Sequence, residues 1–323
     1  MKITHINFTN NLEIRTITLI KELSNRGYYQ QIITSEKSLL INHLKNINNL
    51  QIIITNRFNI FKLSNLKSSD IIHYHQIELL GLSYLVNLIY KIPYVITTSS
   101  RIKNSLLYKK ANHTIVTSNR IKNSINISTI YNSSSNHLIN ESSAKKIKDR
   151  YKYKFVIGHI GSFEDKRGQF YLIEAMKKLQ LIYPTIHLII MGEGKNELKY
   201  KTQASTLDNI TFENSYNIDF IPTFNIFILP SISEHNCSLL FDVINNNIPI
   251  IATEMGTILE IIEDKKSGLL IEAKNSTQIY NAIEKLYLDK NLRKILSKNA
   301  FNKIKNYSTQ EMVNRYERLY NKK

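Results

Sequence analysis

Apolar positions along this chain fall into two alternating textures. Short runs such as "KITHINF" (2–8), "YQQIITS" (29–35), "LQIIIT" (50–55), "DIIHYH" (70–75), "PYVITTSS" (93–100), "HTIVTS" (113–118) and "ISTIYN" (127–132) are rich in β-branched and aromatic residues, as strands are. Between them, 13–27 and 78–90 carry apolar residues at helical spacing, and the first of these stops at Gly27, a residue that ends helices well. The pattern lapses over about 133–150, "SSSNHLINESSAKKIKDR", which is polar, Ser/Asn-rich and charged, as a linker is.

A second alternation follows. Strands are expected at "KFVIGHIG" (154–161), "IHLIIMGEG" (186–194), "ITFEN" (210–214), "FNIFILPS" (224–231), "IPIIAT" (248–253) and "SGLLIE" (267–272). Helices are expected at 168–180, through about 205, after 233, and at 276–288, 290–305 and 308–321. Strands alternating with helices of this length imply parallel sheets covered on both faces. The expected organisation is α/β: a first doubly wound domain over 1–150, a second over 151–305, and a closing segment over 306–323.

Composition narrows the setting. The 323 residues, 42% hydrophobic, suffice for two cores. The single cysteine, Cys237, excludes a disulfide framework and suits a reducing cytoplasm. No leader-like segment is read at the start, and the apolar run 79–90 is too short to span a bilayer. The expected location is therefore cytoplasmic. The net charge of +17 is uneven: residues 1–150 carry +13 and residues 151–323 carry +4. A basic first half points to an anionic partner, with a peripheral place at the inner face of a membrane among the expectations. Nucleic acid is a poorer fit, because no basic motif interleaved with aromatics accompanies the charge.

Ligands of parallel sheets gather where strands end and helices begin. Four such mouths in the second half hold polar or glycine residues: "GHIGSFEDKRG" (158–168), "MGEG" (191–194), "PSISEHNCS" (230–238) and "TEMGT" (253–257). Free N–H groups at a helix start, with Lys166 and Arg167 near, would hold a diphosphate. Glu234 and Asp242, eight positions apart, would flank it across the N–H groups of Cys237, Ser238 and Leu239 and accept hydrogen bonds from sugar hydroxyls. Each feature alone also fits a solvated loop or a charge suited to a helix start; their common place at the mouths of one sheet carries the argument. His73 and His75 are assigned to opposite faces of a strand. No metal site is expected, and no Ser–His–Asp, CxxC or phosphate-loop pattern is found.

These runs together resemble the family-4, or group 1, retaining glycosyltransferases of GT-B fold. The resemblance rests on "IGHIGSFEDKRGQFYLIEAM", "YPTIHLIIMGEG", "FNIFILPSISEHNCSLLFDV", "IPIIATEMGTILEII" and "SGLLIE", and more loosely on "MKITHINF", "DIIHYHQ", "KIPYVITTSSRIKNSL" and the closing "YSTQEMVNRYERLY". It implies two Rossmann-like domains facing a central cleft, with a C-terminal helix crossing back to the N-terminal domain. It implies transfer of a sugar from a nucleotide diphosphate donor to a glycan or lipid-linked acceptor, of capsule or lipopolysaccharide type, with no cofactor or metal. Glu234, Arg167 and Ser99 then take catalytic positions. Gly161, Ser162, Lys166, Gly192, Glu193, Gly194, Cys237, Ser238, Leu239 and Asp242 face the donor, and Asn10, Asn11, His75 and Arg101 the acceptor. The family's second glutamate is Asp242 here, Ser162 stands in place of an arginine, and Asn10 and Asn11 replace glycines. Such departures make a GT-B protein that binds a nucleotide sugar without turnover the alternative reading.

Overall fold

The computed structural model describes residues 1–9, 13–56, 59, 64–75, 80–98, 111–117, 119, 127–131, 133, 139–213, 217–233, 238–305 and 307–321. In chain order its elements are β1 (Lys2–Asn7), α1 (Ile14–Asn25), β2 (Tyr29–Thr34), α2 (Leu40–Leu44), β3 (Leu50–Ile54), β4 (Ile71–Tyr74), α3 (Leu80–Tyr90), β5 (Tyr94–Thr98), β6 (His113–Val116) and β7 (Ile127–Thr129). There follow α4 (Glu141–Arg150), β8 (Phe155–Ile160), α5 (Gln169–Ile182), β9 (Ile186–Met191), α6 (Glu197–Gln203), β10 (Ile210–Glu213), β11 (Ile226–Leu229) and α7 (Ser238–Asn245). The chain closes with β12 (Ile250–Thr253), α8 (Ile258–Ile261), β13 (Leu269–Ile271), α9 (Ser276–Leu288), α10 (Lys290–Ile304) and α11 (Thr309–Tyr320).

Two compact units result, Met1–Asn136 with Tyr307–Lys323, and His137–Asn306. The first holds a seven-stranded sheet in the order β3-β2-β1-β4-β5-β6-β7 and the second a six-stranded sheet in the order β10-β9-β8-β11-β12-β13. Every described pairing is parallel. Strands such as β4 and β11 are buried along their whole length, as parallel strands covered on both faces must be. The strand order reverses direction between β1 and β4 in the first sheet and between β8 and β11 in the second. Crevices open at such points.

The boundary differs from the expected one. Residues 141–150, read as linker, form α4 within the second unit. The Asn140 side chain accepts from the Ser143 N–H at 3.1 Å, and Ala144 and Ile147 supply a small buried stripe. Eight of the ten residues in that helix are polar or charged, so composition hides it.

The last helix belongs to the first unit. The Ser308 hydroxyl caps α11 by accepting from the Glu311 N–H. Met312, Val313, Tyr316, Leu319 and Tyr320 form one helical face, which packs with Leu19 and Leu23 of α1 and with Ile71 and Val95 of the sheet. Arg26 ties the same pair of helices through Asn314 and Glu317. The Tyr320 hydroxyl lies 2.6 Å from His73 Nδ1, both groups buried. Tyr320→Phe strands that nitrogen without a partner and is expected to cost about 1–3 kcal/mol in urea unfolding, with secondary structure unchanged.

His73 and His75 do not point to opposite faces. Side chains two apart on extended chain share a face, because the alternation has period two. Register places His5 beside His73, and all three rings meet on the α1 and α11 side of the sheet.

Candidate functional site

In the second unit the mouths of β9, β8 and β11 are laid backbone on backbone. Gly161 N–H donates to Met191 O and Phe163 N–H to Glu193 O, both at 2.9 Å. Across the switch point, Ile232 N–H donates to Lys166 O at 2.8 Å. Two glycines permit this closeness. Gly168, at φ 77°, would set a Cβ 1.8 Å from Pro230 O, and Gly192, at φ 149°, would set one 2.1 Å from Gly161 O. Both conformations favour glycine, and both neighbours are main chain that cannot swing aside.

Arg167 ends a 3-10 turn over Asp165–Arg167, just before Gly168 starts α5. Its Nε donates to Ser162 Oγ at 3.3 Å, and Ser162 Oγ donates on to Glu164 Oε2 at 3.4 Å. Lys166 pairs with the same carboxylate at 2.6 Å, and this hydrogen bond holds the Glu164 pKa below its usual range. The pair is exposed and therefore weak, so Lys166 can be drawn to a stronger anion. The loop thus gathers two cations around one carboxylate at the switch point.

Sequence reasoning passed over two residues here. His159, buried on β8, donates from Nδ1 to Ile228 O at 2.9 Å, which leaves Nε2 as a buried acceptor with no partner among the described residues. Burial pushes its pKa down to about 4, the Ile228 carbonyl opposes that, and Arg167 adds to it. Gln169, fully buried at the start of α5, donates to Ser162 O at 2.8 Å, and its Oε1 has no partner among the described residues. A polar residue opening a first turn that is otherwise apolar, in "RGQFYLI", was the signal available for it.

The other expected donor residues are placed as follows. Gly161 and Ser162 are half-buried at the β8 mouth; Gly192, Glu193 and Gly194 follow β9, with Glu193 exposed. Ser238 starts α7, and half-buried Leu239 lies in its first turn. Asp242 is five residues into α7 and buried. Glu234 and Cys237 lie outside the described residues, as do Asn10, Asn11, Ser99 and Arg101.

In the first unit, His75 is joined by partners that the sequence separates widely. Its Nε2 faces His5 Nδ1 at 3.0 Å and its Nδ1 faces Thr16 Oγ1 at 3.1 Å. His5 Nε2 donates to Gln30 Oε1 at 3.0 Å, and His73 lies between Tyr320 OH and Thr97 Oγ1 at 2.6 and 2.7 Å. One nitrogen from each histidine falls within 4.8 Å of the others, close enough in principle for a metal ion. The chemistry of the set is less favourable: these nitrogens already meet hydrogen-bonding partners, and the Arg15 guanidinium acts on His73 and His75. Burial, foremost, holds all three rings neutral.

Comparison with known proteins agrees with this architecture. The sequence pattern described as "Glycosyl transferases group 1" matches residues 140–303, just over half of the chain. An uncharacterized glycosyltransferase, MJ1059 of Methanocaldococcus jannaschii, is 29% identical over 128 residues, 37% of this chain and 31% of that protein. The capsular polysaccharide biosynthesis glycosyltransferase CapM of Staphylococcus aureus is 24% identical over 193 residues, 58% of this chain and 50% of that protein. The chain spans about a third to a half of the length of these curated relatives. The crystal structure of Anabaena Alr3699/HepE in complex with UDP and glucose superposes with a TM-score of 0.86, at 15% identity over all of both chains. That likeness is one of fold.

Proposed function

The chain belongs to the glycosyl transferases group 1 family, and on that premise we propose that it moves a sugar, with retained anomeric configuration, from a nucleoside diphosphate donor to a surface-glycan acceptor. Two Rossmann-like sheets, with a C-terminal helix returning to the first unit, make up its GT-B fold. The observation that carries the reading is the arrangement at the second sheet's switch point, where Arg167 and Lys166 stand at the β8 mouth bonded through Lys166 O to the β11 mouth.

A diphosphate held there would gain the two cations and the N–H groups opening α7. Gly192, Glu193 and Gly194 would line the nucleotide, and Asp242 and Glu234 would receive ribose and sugar hydroxyls. Catalysis would be positioning and charge stabilisation of the departing diphosphate, whose own oxygen takes the acceptor proton. Uridine is the first base to test, since HepE is held with UDP and glucose in a protein of the same fold. A glycan acceptor is supported by the capsular role named for CapM.

A membrane-borne acceptor has support on α3, where Leu85, Leu88 and Ile89 stand 49%, 55% and 60% exposed in the more basic half of the chain. No helix among the described residues is long and apolar enough to cross a membrane.

The test is a UDP titration by calorimetry, with GDP beside it. Wild-type protein is expected to bind UDP, and Arg167→Ala to weaken that binding roughly ten- to hundredfold. Equal affinity in the variant would remove Arg167 from the site. Binding of UDP-glucose with no transfer or hydrolysis, across acceptor screens, would favour the turnover-free alternative, which Ser162 in an arginine's place motivates.

A further inference from the structure

His159 stands near the end of β8, and its side chain is closed off from solvent. Its ring bridges the switch point of the second sheet, because Nδ1 donates to Ile228 O on β11 at 2.9 Å. That bond fixes the tautomer: Nδ1 carries the proton, and Nε2 presents a lone pair. No group among the described residues meets that lone pair with a hydrogen bond. Burial keeps the ring from taking up a second proton at neutral pH. An acceptor left buried and unmatched is unfavourable, so the direction in which it points is informative.

Nε2 faces the bare side of Gly161. A Cβ on Gly161 would lie 3.4 Å from Nε2 and 3.7 Å from both Cγ and Cδ of Arg167. The imidazole and the Arg167 stem thus converge on one point, with no methyl group between them. Gly161 is not among the glycines at positive φ, so the backbone does not call for glycine here. The segment beneath is held in place: Gly161 N–H donates to Met191 O at 2.9 Å, and Gln169 donates to Ser162 O at 2.8 Å. Arg167 Nε in turn reaches Ser162 Oγ at 3.3 Å.

The electrostatics of this contact have a definite sign. Arg167 Cδ is bonded to Nε and carries part of the guanidinium's positive charge, so the lone pair and the stem attract. An imidazolium in the same place would repel the stem, and Arg167 does act against protonation of the ring.

We infer that His159 is a positioning residue that seats Arg167 at the β8 mouth to receive the donor diphosphate. The inference rests on the donor site proposed above. An arginine side chain samples many rotamers, and ordering it on binding costs affinity. The ring behind Gly161 restricts where the stem lies before the ligand arrives, so the planar fork meets the diphosphate already placed.

The experiment is a double-mutant cycle on the full chain, read by UDP titration calorimetry with the melting temperature alongside. His159→Asn keeps a donor near the Nδ1 position and withdraws the acceptor at Nε2. His159→Gln does the reverse: it keeps an acceptor near Nε2 and gives up the bond to Ile228 O. His159→Asn is expected to weaken UDP binding about five- to tenfold in the wild-type background, and by less than about twofold beside Arg167→Ala. His159→Gln is expected to melt lower than wild type yet bind UDP within about threefold of it.

Equal losses with and without Arg167 overturn the inference, because His159 then acts on its own or through the fold at large. Wild-type affinity in His159→Asn overturns it as well. So does a loss in His159→Gln as large as that in His159→Asn, which would assign the effect to the Ile228 bond. If His159→Asn does not fold, His159→Gln decides alone: retained UDP affinity supports the inference, and a tenfold loss overturns it. Absence of UDP binding to the wild-type chain is a separate failure, which removes the donor reading and this inference with it.

Discussion

Acidification from pH 7 to pH 4 is expected to remove most of the stability of this protein, beginning with the first unit. The cause is buried neutral imidazole. Desolvation lowers the pKa of His5 and of His159 from 6.5 to about 4, and it holds His73 and His75 well below 6.5. The unfolded chain takes up a proton on each of these rings near pH 6.5, whereas the folded chain does not until far lower. Between those limits the unfolded state binds more protons, so unfolding free energy falls as pH falls. Stability is complete above about pH 6.5 and is lost progressively toward pH 4.

Each such ring contributes a slope of about 1.4 kcal/mol per pH unit within its window. His5 and His159 are therefore worth on the order of 3 kcal/mol each at neutral pH, in a fold whose total is of order 5–15 kcal/mol. The carboxylates lowered by surface pairs, such as Glu164 and Glu263, act in the same direction but below about pH 4.5 and weakly, because they are exposed. Three of these rings, all fully buried, belong to the first unit, against His159 and the less deeply buried His187 in the second, so hydrogen exchange in β1 and β4 should quicken at a higher pH than in β8. Urea unfolding at pH 7, 6 and 5 measures the slope. A flat profile over that range would mean that the rings are hydrated or already charged in the folded state.

The same cluster shows where the sequence could be read and where it could not. The alternation of strands and helices was legible because parallel strands buried on both faces leave continuous β-branched runs. The closing helix was expected over 308–321 and forms over Thr309–Tyr320. His73 and His75 were misassigned by parity alone. Their third partner, His5, comes from a strand that only sheet register brings alongside. Arg15 escaped notice for a different reason: on an amphipathic helix a charged residue is read as solvent-facing, and no local pattern says that this one is buried. The helix over 141–150 was hidden by its composition, since two buried residues leave little periodicity. At the second unit's site, glycines, cations and the order of mouths were visible in the sequence. The buried polar pair His159 and Gln169 was not, because its role depends on neighbours across the switch point.

Gly192→Ala is expected to be strongly damaging at that site. The new Cβ would sit 2.1 Å from Gly161 O and 2.9 Å from its carbonyl carbon, with the backbone held at φ 149°. Relief requires moving either β8's mouth or β9's. Those mouths are fixed by Gly161 N–H on Met191 O and by Gly192 N–H on Glu213 O. Strain and clash together are expected to cost about 3–5 kcal/mol. Because the displaced segment is the one proposed to line the nucleotide and seat Arg167, UDP affinity should fall more than a hundredfold, about 2.7 kcal/mol or more.

Gly161→Ala is the matched control. A Cβ there meets nothing nearer than His159 Nε2 at 3.4 Å and the Arg167 side chain at 3.7 Å, ordinary contact distances. It should leave stability within about 1 kcal/mol of wild type. Thermal melting and UDP titration of the two variants separate the effects. If Gly192→Ala melts like Gly161→Ala and binds UDP as well, then the close seating of the β8 and β9 mouths is not what shapes the donor site.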